Sequence, residues 1–374
     1  MAETLTEGGK FGDYEVVRQL GKGGMGEVWL LKDTSQDAYC ATKILDPAVA
    51  GDHESRRRLL REAEIAMSVE HLNLVEVYDV AEDPETGLCY ILMEYIPGGT
   101  LADLLGEIGP LPLNDALKVV RAIASVLETV QEKGIVHRDI KPDNIMFGIG
   151  GVPKLADLGI ARINRSETMT MTKTGMFVGT PAYMSPEQMV DSRKVDVRAD
   201  IYSLGIVLFE MLAGRRPFAE ESVAQAMARA VKRTPVPDVR RYRKVPVPVA
   251  MLVRRMCEPD AANRISSPTR IIDYCTKIIE GRNVFIAPYS RRQAEADGPQ
   301  AAASRHGRRS HISELTAAET GGGGGLLVVV VVLLLLAMLA GGLYLALQYG
   351  AKQAAAVPPA DDDDAQVVRR VRGL

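Results

Sequence analysis

The chain is poor in the features that mark several large classes of protein. Its 374 residues hold only four cysteines, Cys40, Cys89, Cys257 and Cys275. They stand too far apart for a structural zinc site or a Cys-x-x-Cys redox centre. Reduced thiols acting as small buried hydrophobes, in a cytosolic compartment, are therefore expected. The first ten residues are polar and lack the apolar stretch of an export signal, so the N-terminal region is expected to stay in the cytosol. The formal net charge is only −3, which provides no global field to draw nucleic acid or an anionic surface as the main partner, and no nucleic-acid role is expected. No internal repeat is evident.

What remains is an ordinary globular composition, 47% hydrophobic and 25% charged, in a chain long enough for one large or two medium domains. Function must then be read from local groups. Apolar residues alternate at period two from Tyr14 to Leu45, interrupted by the glycine cluster Gly21 to Gly26, and predict three short antiparallel strands with a tight first turn. A charged helical stretch follows at about 54–69. Two more strand-like runs, 75–80 and 89–95, flank a turn at Pro84 to Gly87. After Pro97-Gly98-Gly99 the period lengthens, with helices expected at 114–133, 199–213 and 267–279. The pattern predicts an α+β molecule of two lobes, a small antiparallel sheet carrying one helix (about 14–96) and a larger helical lobe (about 97–282), behind an extension at 1–13.

From 283 to 325 the chain becomes polar and rich in Ala, Arg and Gly, the composition of a flexible linker. Residues 326–347 form 22 consecutive uncharged positions, which as a helix would be roughly 33 Å long and would match a bilayer core of about 30 Å. A single membrane span is expected there. The tail 348–374, with Pro358-Pro359 and the acidic run Asp361 to Asp364, is too short and polar for a domain. Arg308 and Arg309 before the span, against Lys352 after it, agree with a cytosolic N-terminal side. Gly341-Gly342 would permit close packing of two spans, and so a homodimer.

The chemistry-bearing residues lie in the first 282 positions. Gly21-Lys22-Gly23-Gly24-Met25-Gly26-Glu27-Val28 is a G-x-G-x-x-G-x-V pattern whose glycines let backbone amides approach phosphate oxygens. A dinucleotide fold would place a helix directly after it, whereas Glu27 to Leu31 continues as strand, so the loop reads as a hairpin lid over a nucleotide. Lys43, in Cys40-Ala41-Thr42-Lys43, occupies a hydrophobic strand and should be buried only with anionic company such as the α- and β-phosphates of ATP. A carboxylate from the following helix must hold it. Glu62, which shares a helical face with Leu59, Ala66 and Val69, is the better candidate, and Glu64 the fallback.

The string His137-Arg138-Asp139-Ile140-Lys141-Pro142-Asp143-Asn144, followed by Asp157-Leu158-Gly159, resembles the eukaryotic-type protein kinases, and the arrangement with a C-terminal span resembles the bacterial transmembrane serine/threonine kinases. The resemblance covers about residues 14–282. It implies a bilobal kinase fold with Asp139 as the proton-accepting carboxylate, and with Asn144 and Asp157 as magnesium ligands. Magnesium prefers hard oxygen donors, and Mn2+ would serve as an alternative. Lys141 resembles the lysine placed near the γ-phosphate in serine/threonine members, and Thr180, in Gly179-Thr180-Pro181, resembles the threonine supporting it. Protein Ser/Thr hydroxyls are thus the implied acceptors and ATP with Mg2+ the implied cofactors. Leu20, Gly21, Gly23, Gly24, Gly26, Val28, Ala41 and Lys43 would form the nucleotide pocket. Backbone groups of Glu94 and Ile96 would hold the adenine edge, with Met93 bordering it.

By the same resemblance, Glu187 in Ser185-Pro186-Glu187 would pair with Arg264, and the segment from Asp200 would begin the buried helix that anchors the catalytic loop. Leu158 stands where the family usually has phenylalanine, and Ser185 where it has alanine. Between Asp157 and Glu187 lie several hydroxyl residues, of which Thr172 and Thr174 are the favoured autophosphorylation sites. Two other classes fit these residues less well. A pseudokinase acting as a nucleotide-binding scaffold usually lacks the lysine or one of the two aspartates, yet Lys43, Asp139 and Asp157 are all present. A small-molecule phosphotransferase would not need the peptide-binding features at Gly179-Thr180 and Ser185-Pro186-Glu187.

Overall fold

Period-two alternation in the first hundred residues builds an antiparallel sheet that positions the candidate nucleotide residues. The computed structural model describes residues 5–23, 26–46, 67–83, 87–158, 181–191 and 195–286, all within one compact unit, Met1–Ala301. Among the described residues, β1 (Lys10–Phe11), β2 (Tyr14–Gly23), β3 (Gly26–Asp33), β4 (Ala38–Leu45), β5 (Val77–Glu82) and β6 (Cys89–Glu94) form a sheet of order β1-β2-β3-β4-β6-β5. Every pairing is antiparallel. The three strands expected between Tyr14 and Leu45 are β2, β3 and β4. Residues ahead of Tyr14 also join the sheet, since β1 pairs with β2 and the buried Phe11 ring meets Tyr90 edge-on at 5.1 Å.

Successive strand residues face opposite sides. On one side Phe11, Val16, Trp29, Leu31, Cys40, Ile44 and Leu92 make a separate apolar cluster. Leu45, Cys89 and Ile91 instead join the main core of the molecule. Cross-strand register sets Val28 opposite Lys43, Lys43 opposite Ile91 and Ala41 opposite Met93. Directly opposed residues point to the same side, so Val28, Ala41, Lys43 and Met93 share one face of the sheet. Most of the charged helix expected at 54–69, Glu62 and Glu64 included, lies outside the described residues.

The second lobe is helical. Thr100 and Asp103 form a capping box at α1 (Leu101–Ile108). The following α2 (Leu113–Glu132) buries Ala116, Leu117, Val120, Ile123, Ala124, Leu127 and Val130, the stripe that spacings of three and four produce. A hairpin of β7 (Ile145–Phe147) and β8 (Pro153–Leu155) follows, then α3 (Pro186–Val190) and α4 (Val197–Ala213). In α4, 14 of 17 residues are buried, so it is apolar around its whole circumference and runs through the centre of the lobe. It starts on the Asp196 cap and stops at Gly214, whose φ of 71° gives a left-handed end. The lobe is completed by α5 (Val223–Lys232), α6 (Val247–Met256) and α7 (Pro268–Ile279). Beyond α7, Val284 packs on the core and Ile286 is buried in it, so folded structure continues past 282.

The lobes are tied directly. Val75 donates its N–H to the Leu155 carbonyl at 2.9 Å and Leu155 donates to the Asn73 carbonyl at 2.7 Å. All four cysteines are buried and unbridged, and burial pushes the Cys40 thiol up to about 11 and Cys275 to about 12. Such thiols are inert at neutral pH, as structural residues should be. Among the described residues no helix is long and apolar enough to cross a membrane. The expected span at 326–347 lies outside them.

Candidate active site

Three separated stretches of sequence, β4, the loop 137–144 and the segment 156–157, converge at the cleft between the lobes. The first is Lys43 on β4, only 9% exposed, whose Nζ lies 2.8 Å from both Oδ1 and Oδ2 of Asp157. Burial disfavours ionisation of Asp157, but the Lys43 ammonium, with help from Lys141, outweighs it and holds the carboxyl below its usual range. A lysine expected to be buried only beside negative charge thus has that charge in Asp157.

The second stretch is the loop 137–144. His137 is fully buried. Its Nδ1 accepts the Asp139 backbone N–H at 3.2 Å, which fixes the tautomer so that Nε2 donates to the Ala156 carbonyl at 3.0 Å. The loop is thereby stitched to the residue before Asp157. Asn144 donates Nδ2 to the Asp139 carbonyl at 2.8 Å and to Asp139 Oδ2 at 3.1 Å, while Lys141 Nζ stands 3.3 Å from the same carboxylate oxygen. Asp139, Lys141 and Asn144 therefore form one constellation, with Lys43 and Asp157 beside it.

The donor set suits a divalent cation of the magnesium type. Asn144 spends its amide hydrogens on Asp139, which leaves Oδ1 as its acceptor atom, and Asp157 offers two carboxylate oxygens. Among the described residues no group of three or more His, Cys, Asp or Glu could form an all-protein metal cage. A metal held by Asn144 and Asp157 would complete its shell with water and substrate phosphate, as Mg2+ prefers.

A buried carboxylate anchors this loop from below. Asp200 on α4 is fully buried. It accepts the His137 N–H at 2.8 Å on Oδ2 and the Arg138 N–H at 2.7 Å on Oδ1. Burial pushes its carboxyl pKa up, opposed by those two amides. Arg138 and Asp157 both take left-handed backbone conformations, at φ 65° and 57°. Non-glycine residues sit there only when their surroundings impose it.

The glycine loop divides by function. A Cβ on Gly21 or Gly23 would meet nothing within 4 Å, whereas on Gly26 it would fall 1.9 Å from the Ile44 carbonyl oxygen. With its φ of 134°, Gly26 serves strand-to-strand contact, and Gly21 and Gly23 leave the open surface that a phosphate chain requires. Leu20 lies at a register shift between Gln19 and Gly21. Across the hairpin Lys22 pairs with Glu27 at 2.8 Å, and Glu27 also accepts the Trp29 indole N–H at 3.1 Å.

On the substrate side, Arg264 makes the expected fork to Glu187, at 2.6 Å to Oε1 and 3.0 Å to Oε2. Ser185 is the cap of α3 and forms a capping box with Gln188, so the departure from alanine supplies a helix start. Leu158 is buried in the main core. Gly24, Glu62, Thr172, Thr174 and Thr180 lie outside the described residues.

Glu94 and Ile96 follow Met93 where the two lobes join. Sequence reasoning considered only the backbone of Glu94, yet its Oε2 accepts Lys154 Nζ at 2.7 Å and the Glu76 N–H at 3.3 Å. Lys154 on β8 thus braces the junction. The signal was available, because a lysine in a short apolar strand demands an anionic partner for the same reason as Lys43.

A family model described as protein kinase domain matches residues 14–276. Serine/threonine-protein kinase PksC of Streptomyces coelicolor is 39% identical over 273 residues, covering 71% of this chain and 49% of that protein. Serine/threonine-protein kinase PknB of Mycobacterium leprae is 37% identical over 253 residues, 67% of this chain and 40% of that protein. The chain thus spans about half or less of the length of these curated relatives. The crystal structure of the Mycobacterium tuberculosis PknI kinase domain superposes with a TM-score of 0.58 at 28% identity, over 74% of this chain and all of that one. With the family model covering most of its length and the cleft residues gathered as described, the chain belongs to the protein kinase domain family.

Proposed function

We propose that the chain is an ATP-dependent protein serine/threonine kinase, membrane-anchored, that phosphorylates its own activation segment at Thr172 and Thr174 as well as other proteins. The observation that carries this reading is the convergence of Lys43, Asp139, Lys141, Asn144 and Asp157 on one cleft. Lys43 places a desolvated cation where triphosphate oxygens would lie, beside a carboxylate and an amide oxygen suited to Mg2+. That ion would supply charge neutralisation at the phosphates.

The residues of the chain do the rest. Asp139 receives the proton of a Ser or Thr hydroxyl as its oxygen forms a bond to the γ-phosphorus. The bond from that phosphorus to the bridging oxygen breaks, and ADP leaves with the negative charge. Lys141, beside Asp139, balances charge on the transferring group, and Lys43 holds the phosphates that remain. The glycine hairpin covers them, Val28, Ala41 and Met93 face the base, and backbone groups of Glu94 and Ile96 hold its edge. The uncharged run 326–347 supports a single bilayer span, with the kinase on the cytosolic side of a bacterial inner membrane.

Mg-ATP labelling of the full-length chain, read by mass spectrometry, tests the reading. Asp139→Ala should slow transfer by roughly 10²- to 10⁴-fold, and Lys43→Met should abolish productive ATP use. Equal labelling of the wild type and both variants would refute it. Deletion of 326–347 should move the chain from alkali-washed membranes to the soluble fraction, and cross-linking in membranes should capture dimers if Gly341-Gly342 pair the spans.

A further inference from the structure

Asp139 is useful only if the peptide that carries it stays fixed, and that peptide follows a left-handed Arg138. Each polar backbone group around it can be traced. The Arg138 N–H goes to Asp200 Oδ1 at 2.7 Å, the Asp139 N–H to His137 Nδ1 at 3.2 Å, and the Asp139 carbonyl accepts from Asn144 at 2.8 Å. The remaining group, the Arg138 carbonyl, accepts from outside the catalytic loop and outside α4. Its donor is Nε2 of Gln188 on α3, at 3.1 Å.

Gln188 is 6% exposed, and its amide cannot be turned over. Its Oε1 accepts the Ser185 N–H at 3.1 Å. A flipped amide would face one N–H with hydrogens and the Arg138 carbonyl with an oxygen. Its own N–H is capped by Ser185 Oγ at 3.3 Å, and its neighbour Glu187 is forked to Arg264. The side chain therefore connects two rigidly held elements.

We propose that Gln188 is a positioning residue for Asp139. It clamps the Arg138–Asp139 peptide from the substrate-side helix, so that the end of the activation segment and the proton-accepting carboxylate move as one unit. Gln188 touches no reacting atom and acts through the peptide it holds. The assignment rests on the kinase reading and deepens it by adding a mechanical link between the substrate segment and the catalytic loop.

Two substitutions of nearly equal size test it in the full-length chain. Gln188→Glu replaces the donor by an oxygen, and Gln188→Met removes both polar atoms. With a Ser/Thr peptide as acceptor, kcat should fall about 10- to 100-fold in both, the scale expected when a reacting group is displaced by about 1 Å. KM for ATP should stay within about twofold, because the nucleotide residues lie elsewhere. The pH profile supplies a signature that a purely structural role would not give. A protonated carboxyl can donate to the Arg138 carbonyl where a carboxylate cannot. The ratio of kcat for Gln188→Glu to that of wild type should therefore rise about tenfold as pH is lowered toward the carboxyl pKa, while the ratio for Gln188→Met stays flat. The Gln188→Glu arm is read against wild type across pH and decides the matter even where Gln188→Met fails to fold.

A kcat within threefold of wild type in both variants, or a loss confined to KM, would overturn the proposal, as would a flat pH ratio for Gln188→Glu. An active wild type with indifferent variants sinks the role of Gln188 alone. A wild type unable to transfer phosphate sinks the kinase reading and this role with it.

Discussion

Replacing Glu187 by alanine would strand a buried cation. The Arg264 side chain is fully buried and Glu187 is 28% exposed. Both outer guanidinium nitrogens bind the carboxylate, Nε donates to the Glu258 carbonyl at 2.9 Å, and the guanidinium lies 5.0 Å from the Tyr202 ring centroid. Carbonyls and a ring face solvate this charge and Asp196 and Glu258 interact with it electrostatically, but the direct fork is to Glu187. Breaking one side of a buried pair costs about 3–5 kcal/mol, while an exposed pair contributes about 0–1. The partial exposure of Glu187 admits water to the gap left behind, so the low end, about 3 kcal/mol, is expected. At roughly 2–4 °C per kcal/mol for a domain of this size, Tm should fall by about 6–12 °C. Urea unfolding of Glu187→Ala, Arg264→Met and the double variant gives the coupling between the two sites. The double variant removes both charges together and should cost less than the sum of the singles by at least about 1.5 kcal/mol. A loss below about 1 kcal/mol for Glu187→Ala, or strict additivity, would refute the claim that this pair fixes the substrate-side segment electrostatically.

Gly26→Ala should cost about 1–3 kcal/mol in urea unfolding, because the new methyl meets the Ile44 carbonyl, whereas Gly21→Ala, with open space at its Cβ, should cost less than about 1. Lys154→Met should lower stability by about 1–2 kcal/mol by removing the donor to Glu94 and to the Leu74 carbonyl, and the same titration measures it. The Lys43–Asp157 pair predicts a pH dependence of definite sign. Because the folded pKa of Asp157 lies below its unfolded value, its contribution is complete above the unfolded carboxylate pKa of about 3.9 and is lost as pH falls through and below that range. The urea midpoints of wild type and Asp157→Asn should therefore converge as the pH is taken down from 6 to about 3, and a gap that widened instead would contradict the pairing.

Much of this site was legible because its chemistry constrains residue type. A lysine inside an apolar strand and glycines opening a hairpin each carry a physical demand that the sequence alone displays, whereas Asp139, Lys141, Asn144 and Asp157 were reached through the family resemblance. Among the described residues, strand and helix positions followed from period two and from spacings of three and four where an element has one buried face, as α2 does, while α4 is buried around its whole circumference. The same reasoning passed over Lys154 because Glu94 was read for its backbone alone. Gln188 carries no charge, and an uncharged amide in a short helix reads as surface. Its value comes from a carbonyl fifty residues earlier in the chain, and such a pairing has no local period. The cap at Ser185 was open to detection, since a serine, a proline and then glutamine at the third position form a helix-start signature. It was noted only as a departure from the family's alanine. Gly26 was grouped with the phosphate glycines because motif spacing cannot distinguish open space from contact with a neighbouring strand.

The two left-handed residues explain why the loop needs so many anchors. Arg138 and Asp157 precede and supply the two central carboxylates of the cleft, and each non-glycine residue held at positive φ costs on the order of 1–3 kcal/mol. Without compensation the chain would relax, and Asp139 and Asp157 would turn away from each other. Compensation comes from groups that lose little entropy on folding because they are already fixed. Asp200 lies on the most buried helix, His137 is locked between two backbone groups, and Gln188 is held by a capping box. Burial pushes the Asp200 carboxyl pKa up, and the His137 and Arg138 N–H groups, one on each oxygen, oppose that rise. Strain at the two carboxylates and rigidity in the helices beneath them are thus one arrangement, in which the folded lobe holds Asp139 and Asp157 in position before any ligand arrives.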